Sequence, residues 1–199
     1  MKILKRNEDA FTGLEAAIVL IAFVVVAAVF SYVVLGAGFF TTQKSQQVVH
    51  AGVTQAASNI VVKGNVYGLV NPWAGTGPDH LDEVQFDIGL AAGGLPVDIN
   101  QLEIVMSTPN STPQLLQQIP DGDQFPGMPG VWDIYQKTNA NADDLLDPGE
   151  LFTILVVPPV NVSLDSRTTF DIELKPATGA SLGIERTIPP GITNTTLLY

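Results

Sequence analysis

The chain has 199 residues, 46% of them hydrophobic, and carries a formal net charge of −11 with a pI of about 4.3. Acidic residues outnumber basic ones in nearly every later segment, which argues against the Lys/Arg patches that nucleic acid binding needs and suits a surface facing the outside. With no cysteine there is no disulfide framework, no Cys-ligated metal and no thiol nucleophile.

The first residues read MKILKRNEDAFTG, with Lys2, Lys5 and Arg6 followed by Glu8 and Asp9. From Leu14 to Phe40 the chain runs LEAAIVLIAFVVVAAVFSYVVLGAGFF, and after Glu15 no charge appears until Lys44. Roughly 20 apolar residues, at about 1.5 Å rise each, cross a bilayer as a helix. The stretch is apolar on every side, so its surroundings are lipid, other helices, or first one and then the other. A secretory signal is cut after its apolar region, yet no A-x-A site followed by a polar segment stands there. The basic cluster ahead of the helix holds that end in the cytoplasm. By these features alone the segment is an uncleaved N-terminal anchor.

The small residue at the junction adds a second reading. Lys5-Arg6, then Gly13 and Leu14-Glu15-Ala16-Ala17, resemble the class III (prepilin-type) signal of archaeal flagellins and type IV pilins. The longer run TGLEAAIVLIAFVVVAAVFSYVVLGAGFFTTQKSQ most resembles the archaeal flagellins (archaellins) of methanogens. This covers the first third of the chain closely and the rest in architecture. The resemblance implies a prepilin-type signal peptidase that cuts between Gly13 and Leu14 on the cytoplasmic side and leaves the helix in place. The cut chain would carry a formal charge of −12. The resemblance also implies insertion into the membrane during assembly. Extraction into a helical polymer with itself or related archaellins follows, with no required cofactor and no catalysis by the subunit. Glu15 would then sit beside the new amino group of Leu14, at the positive end of the helix dipole. In bacterial type IV pilins a glutamate near the mature start pairs with a neighbour's terminal amine. It lies further along than Glu15, so an assembly role for Glu15 stands beside simple local charge compensation.

The helix is expected to continue past Thr41. Val48/Val49, Gly52/Val53, Ala56/Ala57 and Ile60/Val61 recur at a four-residue step, with Gln, Ser, Thr and Asn on the other face. Gly64-Asn65 is the expected stop. That gives one helix over 14–63, roughly 75 Å long. Gly36 and Gly38 allow close helix approach or a bend, or reflect the higher glycine content of membrane helices.

After Gly64 short β-branched and aromatic runs are punctuated by Pro, Gly, Asn and Asp. Strands are expected over 83–90, 101–107, 115–119, 132–136, 151–157, 168–174 and 181–188. Phe170, Ile172 and Leu174 alternate with Asp171 and Glu173, and Phe86 and Ile88 flank Asp87, the period of a half-buried strand. The fold class is therefore α+β: a long N-terminal helix and an antiparallel, Ig-like β-sandwich. The expected organisation is a signal over 1–13, a helix for the filament core over 14–64 and an outer sandwich over 65–199. Loops are expected over 79–83, 107–113 and 122–130.

Three N-x-S/T acceptor patterns start at Asn110, Asn161 and Asn194. Asn110 lies in a Pro-flanked loop, Asn161 beside strand residues, and Asn194 near the C-terminus, where neighbouring subunits could bury it. Asn139, Asn141, Asp143, Asp147 and Glu150 stand at the first, third, fifth, ninth and twelfth places of a calcium-loop pattern. Asp144 occupies the place of the turn glycine and strands flank the run, so it is not an EF-hand. A Ca2+ site and a solvated acidic turn into the next strand are both open. No catalytic set is visible. His50 and His80 lack Ser or Cys partners in any motif, Trp73 and Trp132 fit a core or an interface, and adjacent Asp82-Glu83 would face opposite ways on a strand. The leading function is a non-enzymatic structural subunit of the archaellum. A pilin-like adhesin and a membrane-anchored extracellular protein are the alternatives.

Overall fold

The computed structural model describes residues 6–71, 79–119 and 128–199, with side chains from Gly13 onward. Lys2, Lys5, Trp73 and the 122–127 part of an expected loop lie outside the described residues. The chain forms two compact units, Met1–Ala51 and Gly52–Tyr199.

Helix α1 spans Arg6–Ala57, 52 residues, or roughly 78 Å at 1.5 Å per residue. It begins before the expected Leu14 and runs unbroken through Gly13–Leu14. Its end corrects the expectation of a helix to Lys63. Asn59 stops it: the side-chain amide donates to Ala56 O at 3.0 Å, and Leu95 N donates to Ala57 O at 3.2 Å. The run Ile60-Val61-Val62 then enters strand β1, Ile60–Leu69. Three β-branched residues in a row are poor helix formers, and pairing with β2 in the register Ile60↔Leu90 buries Ile60. Tertiary pairing overrides the four-residue step.

The remaining strands are β2 (Glu83–Leu90), β3 (Val97–Asp98), β4 (Glu103–Ser107), β5 (Gln114–Gln118), β6 (Val131–Thr138), β7 (Leu145–Leu146), β8 (Leu151–Val157), β9 (Thr169–Lys175), β10 (Leu182–Thr187) and β11 (Thr195–Leu198). Among the described residues, nine of the eleven strands, β1 included, hydrogen-bond in the order β10-β9-β4-β5-β6-β8-β2-β1-β11, while β3 pairs with β7. All neighbours are antiparallel except β5 and β6, whose short parallel pairing, Gln117↔Val131 and Gln118↔Trp132, joins the two halves of the sheet. Inward side chains of both halves form one core. Ile104, Met106, Ile172 and Leu174 come from one half, and Phe86, Ile88, Trp132, Phe152 and Ile154 from the other. At the far ends Thr187 N donates to Tyr199 O at 2.7 Å, which brings β10 and β11 together. The result is a sandwich with barrel-like closure.

The turn between β9 and β10 closes on the end of α1. Gln55 Nε2 donates to Gly179 O, and Asn59 and Ala180 form a single parallel bridge. Gly179 has φ +115°, and a Cβ there would overlap the Ser58 carbonyl oxygen and come within 2.8 Å of its carbon. Only glycine fits both the backbone and the space.

Candidate functional site: the apolar helix and the outer loops

Seventeen large apolar side chains between Leu14 and Phe40 are more than half exposed. At about 1.5–3 kcal/mol for each burial, leaving them in water forgoes on the order of 25–50 kcal/mol, more than the ~5–15 kcal/mol that holds a domain together. The surface therefore requires an apolar environment. Among the described residues this is one helix long and apolar enough to cross a membrane. Thr41 and Thr42 fit such surroundings because their hydroxyls donate back to Ala37 O (2.8 Å) and Gly38 O (2.9 Å). Gly36 and Gly38 have no neighbouring atom within 4 Å of a built Cβ, and Gly38 helps form a groove of about 510 Å3 bordered by Phe30, Val34 and Phe39. Glu15 is exposed, ten residues into the helix rather than at its start. From Leu14 to Ala51 the charges are Glu15 and Lys44, so the whole −12 expected of the cut chain lies from Gly52 onward.

The acidic loop is organised by Glu150. One carboxylate oxygen accepts from Asn141 N and the other from Asp147 N, both at 3.0 Å. Asn141 Oδ1 accepts from Asp143 N, and Asp143 Oδ1 from Leu145 N. Asn139 takes a left-handed φ of 52°. Of the residues that spacing offers to calcium, Asn141, Asp143 and Glu150 accept from the loop's own amides, and no group of three or more His, Cys, Asp or Glu that could hold a metal occurs among the described residues. Beside them Lys137 Nζ meets Asp144 Oδ1 at 2.6 Å. That bond, with the Asn100 amide, holds the Asp144 carboxyl below the usual carboxylate range.

All three sequon asparagines are exposed. Asn110 lies in the β4–β5 turn, where Ser111 N donates to Thr108 O. Asn161 sits on a turn closed by Val162 N donating to Pro159 O at 2.8 Å. The third pattern is divided: Asn194 is exposed, but its hydroxyl partner Thr196 is 5% exposed.

One arrangement was not legible in the sequence. Asp165 accepts from Ser163 Oγ at 2.7 Å and contacts His80 Nδ1 at 3.1 Å, and the serine bond, then the imidazole, lowers its pKa. The carboxylate, not the imidazole, stands between the other two. The serine hydroxyl therefore gives its hydrogen bond to the carboxylate rather than to His80, and the group ties two loops together.

Residues 10–186 match the family model of archaeal-type flagellin. The chain is 41% identical over 206 residues to probable flagellin 2 of Archaeoglobus fulgidus, spanning 98% of this chain and 97% of that one. Among solved structures it resembles the archaeal flagellum of Methanospirillum hungatei strain JF1, with a TM-score of 0.72, 36% identity, and 94% and 99% of the two chains covered. The fold also matches flagellin FlaB1 of Methanocaldococcus jannaschii, with a TM-score of 0.57, 16% identity, and 71% and 97% of the two chains covered.

Proposed function

Because this chain belongs to the archaeal-type flagellin family, we propose that it is a structural subunit of the archaellum, polymerising through α1 to build a filament for swimming. The observation that carries this is the exposed apolar surface from Leu14 to Phe40, in a chain that aligns along 94% of its length with the archaeal flagellum of Methanospirillum hungatei. Identical helices from neighbouring copies supply the apolar surroundings. The gain relative to lipid comes from packing density, because lipid is already apolar. Partners are further copies of this chain or related archaellins.

The precursor sits in the cytoplasmic membrane, a prepilin-type signal peptidase cuts between Gly13 and Leu14, and the assembled subunit is an extracellular appendage. Glu15 then stands next to the new amino terminus, where its charge supports assembly. The subunit performs no chemistry and needs no cofactor. Glu150 serves the acidic loop as an internal brace, which favours the turn over a Ca2+ site at Asn139, Asn141, Asp143, Asp147 and Glu150. Asn110, Asn161 and Asn194 are N-glycosylation acceptors, supported by their exposure.

Purified cell-surface filaments test the proposal. Mass spectrometry is expected to give a chain starting at Leu14, and deletion of the gene is expected to abolish swimming. An intact Met1 in a particle that never polymerises would refute it. Loss of attachment with swimming intact would turn the reading to an adhesive pilin.

A further inference from the structure

The three sequons differ in one respect that bears on when they can be modified. A glycosyltransferase reading N-x-S/T must reach the asparagine amide and the hydroxyl two residues on, in one accessible stretch. At 110–112 and 161–163 both residues are exposed. At 194–196 only Asn194 is. Thr196 is buried in β11, where its Oγ1 accepts from Thr193 N at 2.9 Å and donates to Thr193 O at 3.0 Å. The backbone is committed as well: Asn194 O accepts from Val70 N at 3.1 Å, and β11 pairs with β1 in the register Val66↔Leu198 and Gly68↔Thr196.

We propose that Asn194 is an acceptor only before β11 docks on β1, whereas Asn110 and Asn161 remain acceptors on the folded chain. This rests on the reading of the three sequons as glycosylation sites. The donor is a lipid-phosphate-linked oligosaccharide. The Asn194 amide nitrogen forms a bond to the anomeric carbon as the bond from that carbon to the lipid phosphate oxygen breaks. The phosphate leaves with the electron pair, and one amide proton passes to a base of the transferase.

The docking order gives this reaction its interval. β1 opens the outer unit and β11 closes it, so their pairing is among the least local contacts in the chain, and such contacts form slowly. Between synthesis of Asn194 and docking of Leu198 the hydroxyl of Thr196 is accessible. Afterwards it is withdrawn while the amide of Asn194 stays outside, so a glycan already attached does not obstruct the strand. Occupancy at Asn194 thus records a race between transfer and strand docking.

The test uses the full chain in detergent micelles with an archaeal membrane fraction that holds the transferase and its lipid-linked donor. Site occupancy is read by peptide mass spectrometry. On the folded chain, Asn110 and Asn161 are expected to become modified and Asn194 to lag at least tenfold. Leu198→Ala, which loosens β11, is expected to raise occupancy at Asn194 severalfold and leave Asn110 unchanged. A synthetic peptide of residues 190–199 keeps the test decisive if that variant misfolds, and it is expected to be modified freely. Modification of Asn194 on the folded chain as fast as Asn110 would overturn the ordering. Failure of the peptide and of the Leu198→Ala chain at Asn194, with Asn110 modified, would overturn Asn194 as an acceptor. Failure at Asn110 and Asn161 too would instead overturn the glycosylation reading itself.

Discussion

Replacing Gly179 with alanine strikes the contact between the β9–β10 turn and the end of α1. The new methyl would lie on the Ser58 carbonyl oxygen and 2.8 Å from its carbon, where carbon contacts settle at about 3.5–4.0 Å. The turn must retreat by roughly 1 Å or more to clear it. That retreat stretches the hydrogen bond from Gln55 to Gly179 O and opens the bridge between Asn59 and Ala180, at about 1 kcal/mol for each. Forcing alanine into a φ of +115° adds about 1–3 kcal/mol. The total is roughly 3–5 kcal/mol, and at about 2–4 °C per kcal/mol for a unit of this size the melting temperature falls by roughly 6–20 °C. Calorimetry of the full chain in micelles reads this directly. Gly183→Ala is the control, because a Cβ there meets only Asp171 Oδ1 at 3.8 Å, and it is expected to change stability by no more than about 0.5 kcal/mol. If the two variants melt within 2 °C of each other, the close approach at Ser58 is not a constraint and the reasoning fails.

Glu150→Gln keeps one acceptor for the amides of Asn141 and Asp147 and presents an NH2 to the other. It is expected to cost about 2 kcal/mol and to speed hydrogen exchange across 141–147, whereas unchanged exchange would remove the brace. Calcium is expected to leave the melting temperature unchanged in both wild type and Asp143→Ala; a rise confined to wild type would establish a metal site. Burial first, then Glu173 and Glu185, raises the Asp171 carboxyl, and burial, partly offset by the Asn71 hydrogen bond, raises Glu83. A raised folded pKa makes ionisation a cost at neutral pH that disappears as pH falls through that pKa. Asp144 and Asp165 are lowered, so their contribution is present above the unfolded value of about 4 and lost below it. Stability is expected to rise on mild acidification and fall below about pH 4; a steady fall from neutrality would contradict it, and Asp171→Asn is expected to flatten the rise. Glu15→Gln is expected to reduce filament yield with the membrane pool of subunit unchanged, and normal filament counts would remove its role in assembly.

Where one face of a strand is buried and turns bracket it, the sequence reading and the structure coincide. The strands at Glu83–Leu90 and Leu151–Val157 have the expected bounds, because Phe86 and Ile88 alternate with polar residues and Asp147-Pro148-Gly149 ends the preceding loop. Ile60-Val61-Val62 failed for a physical reason. Two adjacent apolar residues fit a helix face and a strand equally well, and only the pairing with Leu90 decides. The strands β3, β7 and β11 are two to four residues long, too short to show a period. The apolar helix surface was legible, since a run apolar on every side has no face suited to water. The exposure of Asn110 in its Pro-flanked loop was expected, whereas Asn161, beside strand residues, was expected to be less accessible, and the burial of Thr196 and the meeting of Ser163, Asp165 and His80 depend on contacts distant in sequence. Within the calcium-like spacing, Asn141, Asp143 and Glu150 accept from backbone amides of the loop. Glu150 does gather the loop, but it gathers backbone amides.

Only Ser58 and Asn59 separate the last helical residue from the first strand, and Asn59 is held on both sides by Ala56 O and Ala180. With so few free torsions between them, the closing turn of α1 and the opening of β1 are fastened as one joint inside the unit Gly52–Tyr199, and loosening either is expected to release the other.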